Sequence, residues 1–518
     1  MRKKSRTQYS LLNMLTGFVG YFINTVFGYV CRMVFVRVLS EEYLGITGLL
    51  TNFLSMLSLA ELGIGSAIIF SLYKPIAEND EEKIASLMRL FKYAYRLIGI
   101  IVAVLGVILV PCLTFVVGDT SAINESIYLI YGIFLFNTVS SYFFSYRSAL
   151  ITAFQRSYIV VGVSYACTIL QSIVQIGLLV VLRSYLPYLI IQTIFTWVYN
   201  IVITLWAKKD YPFMDKKNVM PLPKEEKIKI FNNVKNITAY KVSGILVNNT
   251  DNLVITYFSG LGITGLASNY TLLINMLDTM IKNVFNALTA SVGNLNAVES
   301  KEKQYNFFKV LNLTNFWLYG FASIGIICVT SNIVDLCFGE KYVMSWEIPL
   351  ILAVNLYMVG MQNAVWTFKN TMGMFKYGRF ILFITAAINV VGDIILGYYL
   401  GVFGIFLATA ISRLVTNTWY EPFALFKFGF GKSPLIYLKK YLWYLVMLLA
   451  SGATCFFLCS LVSINLFADL ILKIIICTVV SNGIFLLAFY KTKEFAYLKT
   501  TALRIINKGL NKFIKNKK

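Results

Sequence analysis

Apolar stretches of about 20 residues recur along almost the whole chain, and that is the helical length needed to cross a hydrocarbon layer of ~30 Å. In hydrocarbon a backbone N–H or C=O finds no water, so each stretch must satisfy its own hydrogen bonds as a helix. A chain that is 58% hydrophobic and 14% charged cannot cover itself with polar side chains as a soluble fold does. The pattern predicts an all-α integral membrane protein with about fourteen transmembrane helices.

Six helices are expected first: Leu11 to Val38, Tyr43 to Leu72, Leu90 to Val117, Ile123 to Tyr146, Tyr158 to Leu182 and Tyr185 to Trp206. A polar, basic linker over 207–230 follows, with Pro221, Pro223 and several lysines. Six more are expected from Phe231 to Phe258, Ile263 to Val292, Phe307 to Thr330, Trp346 to Thr371, Tyr377 to Leu400 and Val402 to Leu425. The last two run from Tyr441 to Val462 and Leu466 to Tyr490. The predicted organisation is an N-lobe (1–206), the linker, a C-lobe (231–425), a helix pair (426–490) and a basic tail (491–518).

Lys and Arg in short loops are retained on the cytoplasmic side of a membrane. With both termini cytoplasmic, 38 of the 46 basic residues fall in inner loops, inner helix ends or termini, and only Arg183 and Lys341 lie clearly in outer loops. The net charge of +22 therefore reads as an orientation signal beside anionic lipid heads, not as a nucleic-acid patch. Basic residues before the first apolar run imitate a signal peptide. The run is too long and lacks a small-x-small cleavage site, so a retained first helix is expected. The tail fits an amphipathic surface helix or a solvated segment equally well.

The absence of histidine removes His-dependent nucleophile pairs, HExxH zinc sites and His proton relays. Of eight cysteines, all but Cys337 lie in apolar segments without metal-ligand spacing, so they read as small core residues and no metal site is expected. Gly429-Phe-Gly-Lys-Ser433 lacks the first glycine of a phosphate loop, with Phe426 in its place, and reads as an inner loop.

Leu44-Gly-Ile-Thr-Gly-Leu49 recurs unchanged as Leu261-Gly-Ile-Thr-Gly-Leu266, an offset of 217 residues. Both copies open the second helix of a six-helix block, and at the same offset Glu61 matches Asp278. A weaker echo pairs Tyr146-Arg147 with Phe368-Lys369 at the end of each fourth helix. Blocks with an even number of helices share orientation, so the reading is two parallel repeats about an axis along the membrane normal, with a cleft that opens alternately to each side.

A charge in hydrocarbon costs ~2.5–3.5 kcal/mol on insertion scales, so such charges usually face a wet cavity or a partner. Arg32, Glu61, Lys241, Asp251, Asp278 and Lys282 concentrate on the first two helices of each block and are expected to line a partly cationic cavity. Arg32 is read either as lining it or as a strut to Asp251. Asp278 and Lys282, spaced i,i+4, form either an ion pair at the cavity or a neutralised packing element. Arg37, Arg413 and Lys473 are read as snorkelling near helix ends, while Asp393 is a further buried acid.

Four stretches, Arg32 to Leu49, Glu61 to Pro75, Arg147 to Tyr158 and Gly401 to Arg413, resemble the polysaccharide flippases of the multidrug/oligosaccharidyl-lipid/polysaccharide exporter superfamily. The resemblance implies a non-enzymatic carrier in the bacterial cytoplasmic membrane that moves an undecaprenyl-diphosphate-linked oligosaccharide outward for capsule, O-antigen or related polymers. Arg32, Lys241, Lys282 and Arg147 are then the substrate contacts. Glu61, Asp251, Asp278 and Asp393 are the cavity or coupling acids; no cofactor is expected, and whether Na+ or H+ serves as a coupling cation is left open. Membrane lipid, a polymerase and glycosyltransferases are the implied partners. The alternatives are a multidrug or lipid II exporter of the same superfamily, or a membrane glycosyltransferase or polymerase. The last would carry larger loops with catalytic acids than Ser331 to Ser345 provides.

Overall fold

The computed structural model describes residues 6–57, 64–117, 123–215, 221–374, 377–501 and 503, and among them the chain is helical almost throughout with no strand. Nine helices among the described residues are long and apolar enough to cross a membrane, or ten if Ile127–Tyr142 and Tyr146–Ala153, bent by 45°, form one span. All fourteen expected segments are helical over most of their described residues. The lower count arises from fusion, breakage and polarity. Lys224–Val298 runs through two expected helices with a break only at Gly260, and its first half carries Lys241, Asn248, Asn249, Asp251 and Asn252. Arg379–Val415 likewise joins two across Gly401, where φ is 58°.

The chain forms two compact units, Met1–Ser268 with Ala386–Ile405, and Asn269–Thr385 with Phe406–Lys518. In the first, α1 (Arg6–Val38) is followed by α2 (Glu41–Leu57), α3 (Ile64–Glu78), α4 (Glu81–Ile108) and α5 (Leu113–Val117). Next come α6 (Ile127–Tyr142), α7 (Tyr146–Ala153), α8 (Ser157–Leu182), α9 (Tyr185–Asp210) and the first part of α10 (Lys224–Val298). The α1 helix packs along α8, and α8 along α9. Leu87, Phe91 and Tyr95 of α4 share an apolar core with Leu150 and Ile151 of α7 and Ile203 and Ala207 of α9. The expected linker is partly helical, since α9 continues to Asp210 and α10 already begins at Lys224.

In the second unit α11 (Lys301–Phe338) is the long organiser, ~57 Å at 1.5 Å per residue. The other helices here are α12 (Glu347–Gly360), α13 (Asn363–Thr371), the ends of α14 (Arg379–Val415), α15 (Asn417–Ala424), α16 (Leu435–Ser460), α17 (Leu466–Ile476) and α18 (Asn482–Phe489). Helices α12, α16 and α17 pack on α11. Phe316 of α11 stacks on Tyr444 of α16 with centroids 4.4 Å apart. The start of the basic tail is helical over 493–501 and docks on α11, where Phe495 stacks on Trp317 at 5.8 Å and Glu494 meets Lys309 at 3.8 Å.

Apolar and polar side chains are distributed as lipid demands. Leu97, Val104 and Ile108 of α4 are exposed and α17 has no buried residue, while Asn312, Asn315, Asn355, Asn363, Asn389 and Asp393 are buried. Hydrocarbon solvates the outside, and Asn315, Asn355, Asn363, Asn389 and Asp393 each make a hydrogen bond within the bundle.

The duplicated hexapeptide has a direct structural role, because its two copies press on each other. A methyl group on Gly45 of α2 would lie 2.0 Å from the Leu261 carbonyl oxygen, and one on Gly265 of α10 would lie 2.3 Å from the Glu41 carbonyl oxygen. Only glycine permits this backbone-to-backbone approach. Glu41 and Glu42 in the first turn of α2 suit the positive ends of the helix dipoles that meet there, and Glu42 lies 3.7 Å from the place of a methyl group on Gly262. Gly45→Ala is expected to destabilise the detergent-purified protein by about 1–3 kcal/mol through overpacking. Gly48→Ala, which would meet nothing nearer than the Asn252 side chain at 3.6 Å, should be neutral or better, since Ala favours a helix by about 1 kcal/mol. Comparing thermal unfolding of the two variants checks this.

Candidate functional site

In the first unit, Arg32 on α1 donates from Nη2 to the Ser268 hydroxyl, which donates in turn to the Gly265 carbonyl at 2.7 Å. The cation is thereby tied to the second copy of the hexapeptide. Tyr185 and Tyr188, at the start of α9, pack edge-on against Phe35, one turn along α1 from Arg32, with centroids 5.9 and 5.0 Å away. The Tyr185 hydroxyl meets the Thr47 hydroxyl at 2.6 Å, and Tyr43 donates to Glu125 at 2.5 Å. Arg32 thus lies beside an aromatic cluster in which Tyr185 and Tyr43 are buried and their hydroxyls are bonded to Thr47 and Glu125.

Arg147 is 9% exposed, its guanidinium 4.8 Å from the Tyr146 ring centroid and Nη1 donating to Thr204 at 3.2 Å. A break at residues 143–145 sets α7 at 45° to α6 and turns this arginine against α9. The structure therefore places Arg147 inside the unit, not at an open surface.

Asp393 is fully buried and accepts from Asn389, one turn earlier, at 3.0 Å and from Thr250 of α10 at 3.5 Å. Asp251 stands beside Thr250 and interacts electrostatically with Asp393. Two carboxylates and two neutral oxygen-bearing side chains from separate helices thus converge.

In the second unit the expected pair forms: Lys282 Nζ lies 2.6 Å from Asp278 Oδ2, with the lysine side chain 40% exposed and the aspartate 17%. Tyr319 of α11 donates to the other Asp278 oxygen at 2.9 Å and accepts from Asn363 of α13 at 2.6 Å. Gly360 makes room for that tyrosine, since a methyl group there would lie 2.1 Å from the ring, and its carbonyl accepts from Asn315 at 2.7 Å. The aspartate is held from behind while the ammonium keeps access to solvent. Lys241 lies on α10 with its side chain outside the described residues, and Glu61 lies outside them altogether.

Lys369 of α13 and Glu421 of α15 form a fully buried ion pair, the lysine also donating to the Tyr377 carbonyl at 3.0 Å. Gly378, with φ 99°, leaves space for both charged groups. Both cations follow a helix break, Arg147 at the start of α7 and Lys369 near the end of α13. The counterions differ: Lys369 meets a carboxylate and Arg147 a hydroxyl and a ring.

The profile of a family described as "Polysaccharide biosynthesis protein" matches residues 34–347. The chain belongs to this family. It is 22% identical over 505 residues to an uncharacterized membrane protein of Methanocaldococcus jannaschii, covering 92% of this chain and 94% of the relative. The fold is similar to that of the lipid II flippase MurJ in an inward closed conformation, with TM-score 0.63, 15% identity and coverage of 91% of this chain and 98% of that one. It is also similar to an inward-facing multidrug resistance transporter of the MATE family, with TM-score 0.59, 13% identity and coverage of 76% and 92%. A MATE transporter of Vibrio cholerae gives 0.57 at 11% identity, covering 82% and 99%. The chain is a multi-pass membrane protein with the fold of this transporter superfamily.

Within this polysaccharide-biosynthesis protein, two features escaped the sequence reading. The partner of Lys369 lies 52 residues away in a segment expected to be the end of a plain span. A groove of about 400 Å³ lined by Lys309, Lys439, Lys440, Tyr305, Tyr437 and Trp443 gathers residues from the first turns of α11 and α16; its linear signal is the Lys439-Lys440 pair. Lys369→Met, which strands the Glu421 carboxylate, is expected to cost about 3–5 kcal/mol, and the double variant Lys369→Met/Glu421→Leu to recover most of it. Detergent-denaturation midpoints of the single and double variants measure both effects.

Proposed function

We propose that the protein is a flippase that moves an undecaprenyl-diphosphate-linked oligosaccharide from the cytoplasmic to the outer leaflet of a bacterial cytoplasmic membrane, by alternating access and with both termini cytoplasmic. Its family and fold support a carrier role in polysaccharide biosynthesis. The observation that carries the substrate class is the Lys282 ammonium, half-exposed yet held in place through Asp278, Tyr319 and Asn363. A positioned cation with free N–H donors suits a diphosphate, whose oxygens accept charge-assisted hydrogen bonds. Arg32, beside Tyr188 in the first unit, and Lys241 are separate cationic candidates for the same class of ligand. A membrane carrier of this kind works beside glycosyltransferases that build the unit and a polymerase that consumes it.

Transport against a gradient needs a coupling ion. Asp393, Asp251, Asn389 and Thr250 fit one, because two neighbouring carboxylates out of water call for a proton or a metal cation between them, and carbonyl and hydroxyl oxygens complete an Na+ shell. When bound, the ion supplies positive charge, and these residues hold it and link its presence to the packing of α10 against α14.

Arg32→Gln and Lys282→Gln are each expected to lower translocation of a lipid-linked oligosaccharide in reconstituted vesicles roughly 10–100-fold, the equivalent of one charge-assisted hydrogen bond of about 1.5–3 kcal/mol. Wild-type rates at wild-type protein abundance would reject this reading, and translocation of lipid II alone would redirect it. Asp393→Asn should leave substrate binding intact and remove the response of transport to an imposed Na+ or proton gradient. An undiminished response to both gradients would exclude Asp393 from coupling.

A further inference from the structure

Four buried cysteines from three distant stretches of sequence meet inside the second unit, at a place the transport reading does not use. Cys328 comes from α11, Cys455 and Cys459 lie one turn apart on one face of α16, and Cys477 begins a π-helical segment, Cys477–Ser481, that follows α17. Their exposures are 8%, 0%, 4% and 2%. The Sγ atoms of Cys328, Cys459 and Cys477 all lie within 4.8 Å of one another. The Cys477 thiol is within hydrogen-bonding reach of the other three. Cys328 lies more than 120 residues before the other three and Cys477 lies on a different helix from Cys455 and Cys459, so helix periodicity alone does not bring these thiols together.

We infer that Cys328, Cys459 and Cys477, with Cys455 beside them, form a binding site for a thiophilic d10 cation, Cu+ or Zn2+. Three sulfurs bound to one metal at ~2.3 Å stand ~3.8–4.0 Å apart in tetrahedral or trigonal geometry, so the observed spacing needs less than ~1 Å of contraction. The π-helical turn supplies the necessary register. One extra residue in the turn rotates Cys477 relative to a continuous α-helix, and such turns are frequent at functional sites. Ser481 closes the turn by donating to the Cys477 carbonyl.

Charge balance supports the same ligand. Three thiols binding Zn2+ release three protons and leave a site of charge −1. Three thiols binding Cu+ as two thiolates and one thiol release two protons and also leave −1. Such an anion in a buried place needs a nearby cation. Lys473 stands one turn before Cys477 and donates to Asn332 at 3.0 Å, and Asn332 stands one turn after Cys328. The ammonium is therefore held about one helical turn from Cys328 and Cys477, by the same two helices that carry these sulfurs. Soft thiolate ligands select d10 cations over the hard alkali cations that serve as transport couplers. A metal bound here ties α11, α16 and the segment after α17 together.

The test uses the full chain, purified reduced and metal-stripped in detergent, then incubated separately with Zn2+ and with Cu+ and desalted. Retention of about one metal per chain, with a rise in thermal midpoint, is expected for at least one ion. Cys459→Ser and Cys477→Ser should lose both effects, while Cys112→Ser and Cys167→Ser, outside the cluster, should keep them. Lys473→Met should weaken binding about tenfold without removing a ligand. X-ray absorption at the metal edge of the wild-type protein should show a shell of sulfur alone, a readout independent of how the variants fold. No retained metal of either kind, equal retention by Cys477→Ser, or a nitrogen and oxygen shell would each overturn the assignment.

Discussion

Hydrocarbon accepts no hydrogen bonds, and most of what this chain does follows from that. Backbone groups are satisfied within helices, and where a helix breaks they are met by local turns, as between α6 and α7, or also by another helix, as between α12 and α13. The Gly360 carbonyl, at the second of these breaks, is taken by Asn315. Polar side chains obey the same rule at longer range: Asp278 is shared by Lys282 and Tyr319, Asp393 by Asn389 and Thr250, Glu421 by Lys369. The interior is a set of short polar circuits in an apolar shell, the inverse of a soluble domain.

Such circuits make the bundle unevenly easy to alter. Apolar contacts along α1, α8 and α9 are interchangeable among branched and aromatic side chains, and a shift by a few tenths of an ångström costs little. A charged pair such as Lys369 with Glu421 admits no such drift, because each member is tolerable only while the other is present. By contrast Lys282 keeps one side open while its aspartate is pinned from α11. A ligand can compete for the ammonium without leaving a bare carboxylate, because Tyr319 still donates to it. That asymmetry distinguishes Lys282, 40% exposed, from Lys369, whose side chain is 7% exposed.

The helices were legible in the sequence because the bilayer imposes one length on all of them, and hydropathy with basic-residue placement reads that length directly. The pair Asp278 and Lys282 was also legible, being local in one helix. Pairings that cross between elements were not. Nothing near Lys369 in the chain points to Glu421, and nothing near Cys328 points to Cys459 or Cys477, since each contact depends on which faces of separate helices meet. Helix breaks at 143–145 and 361–362 carry no proline and no charge, so hydropathy passes over them. The echo of Tyr146-Arg147 in Phe368-Lys369 placed a cation near the end of each fourth helix and said nothing of the breaks or of the different counterions.

The touching hexapeptides have a meaning beyond packing. Two copies of one segment that meet through glycines, Gly45 on Leu261 and Gly265 on Glu41, make a contact that a short chain can make with a second copy of itself. A half-length ancestor bearing one Leu-Gly-Ile-Thr-Gly-Leu would already own both halves of that joint. Fusion of two such chains would then add covalent continuity to a pairing that the glycines had made available, and the repeat would persist because each copy is the other's complement.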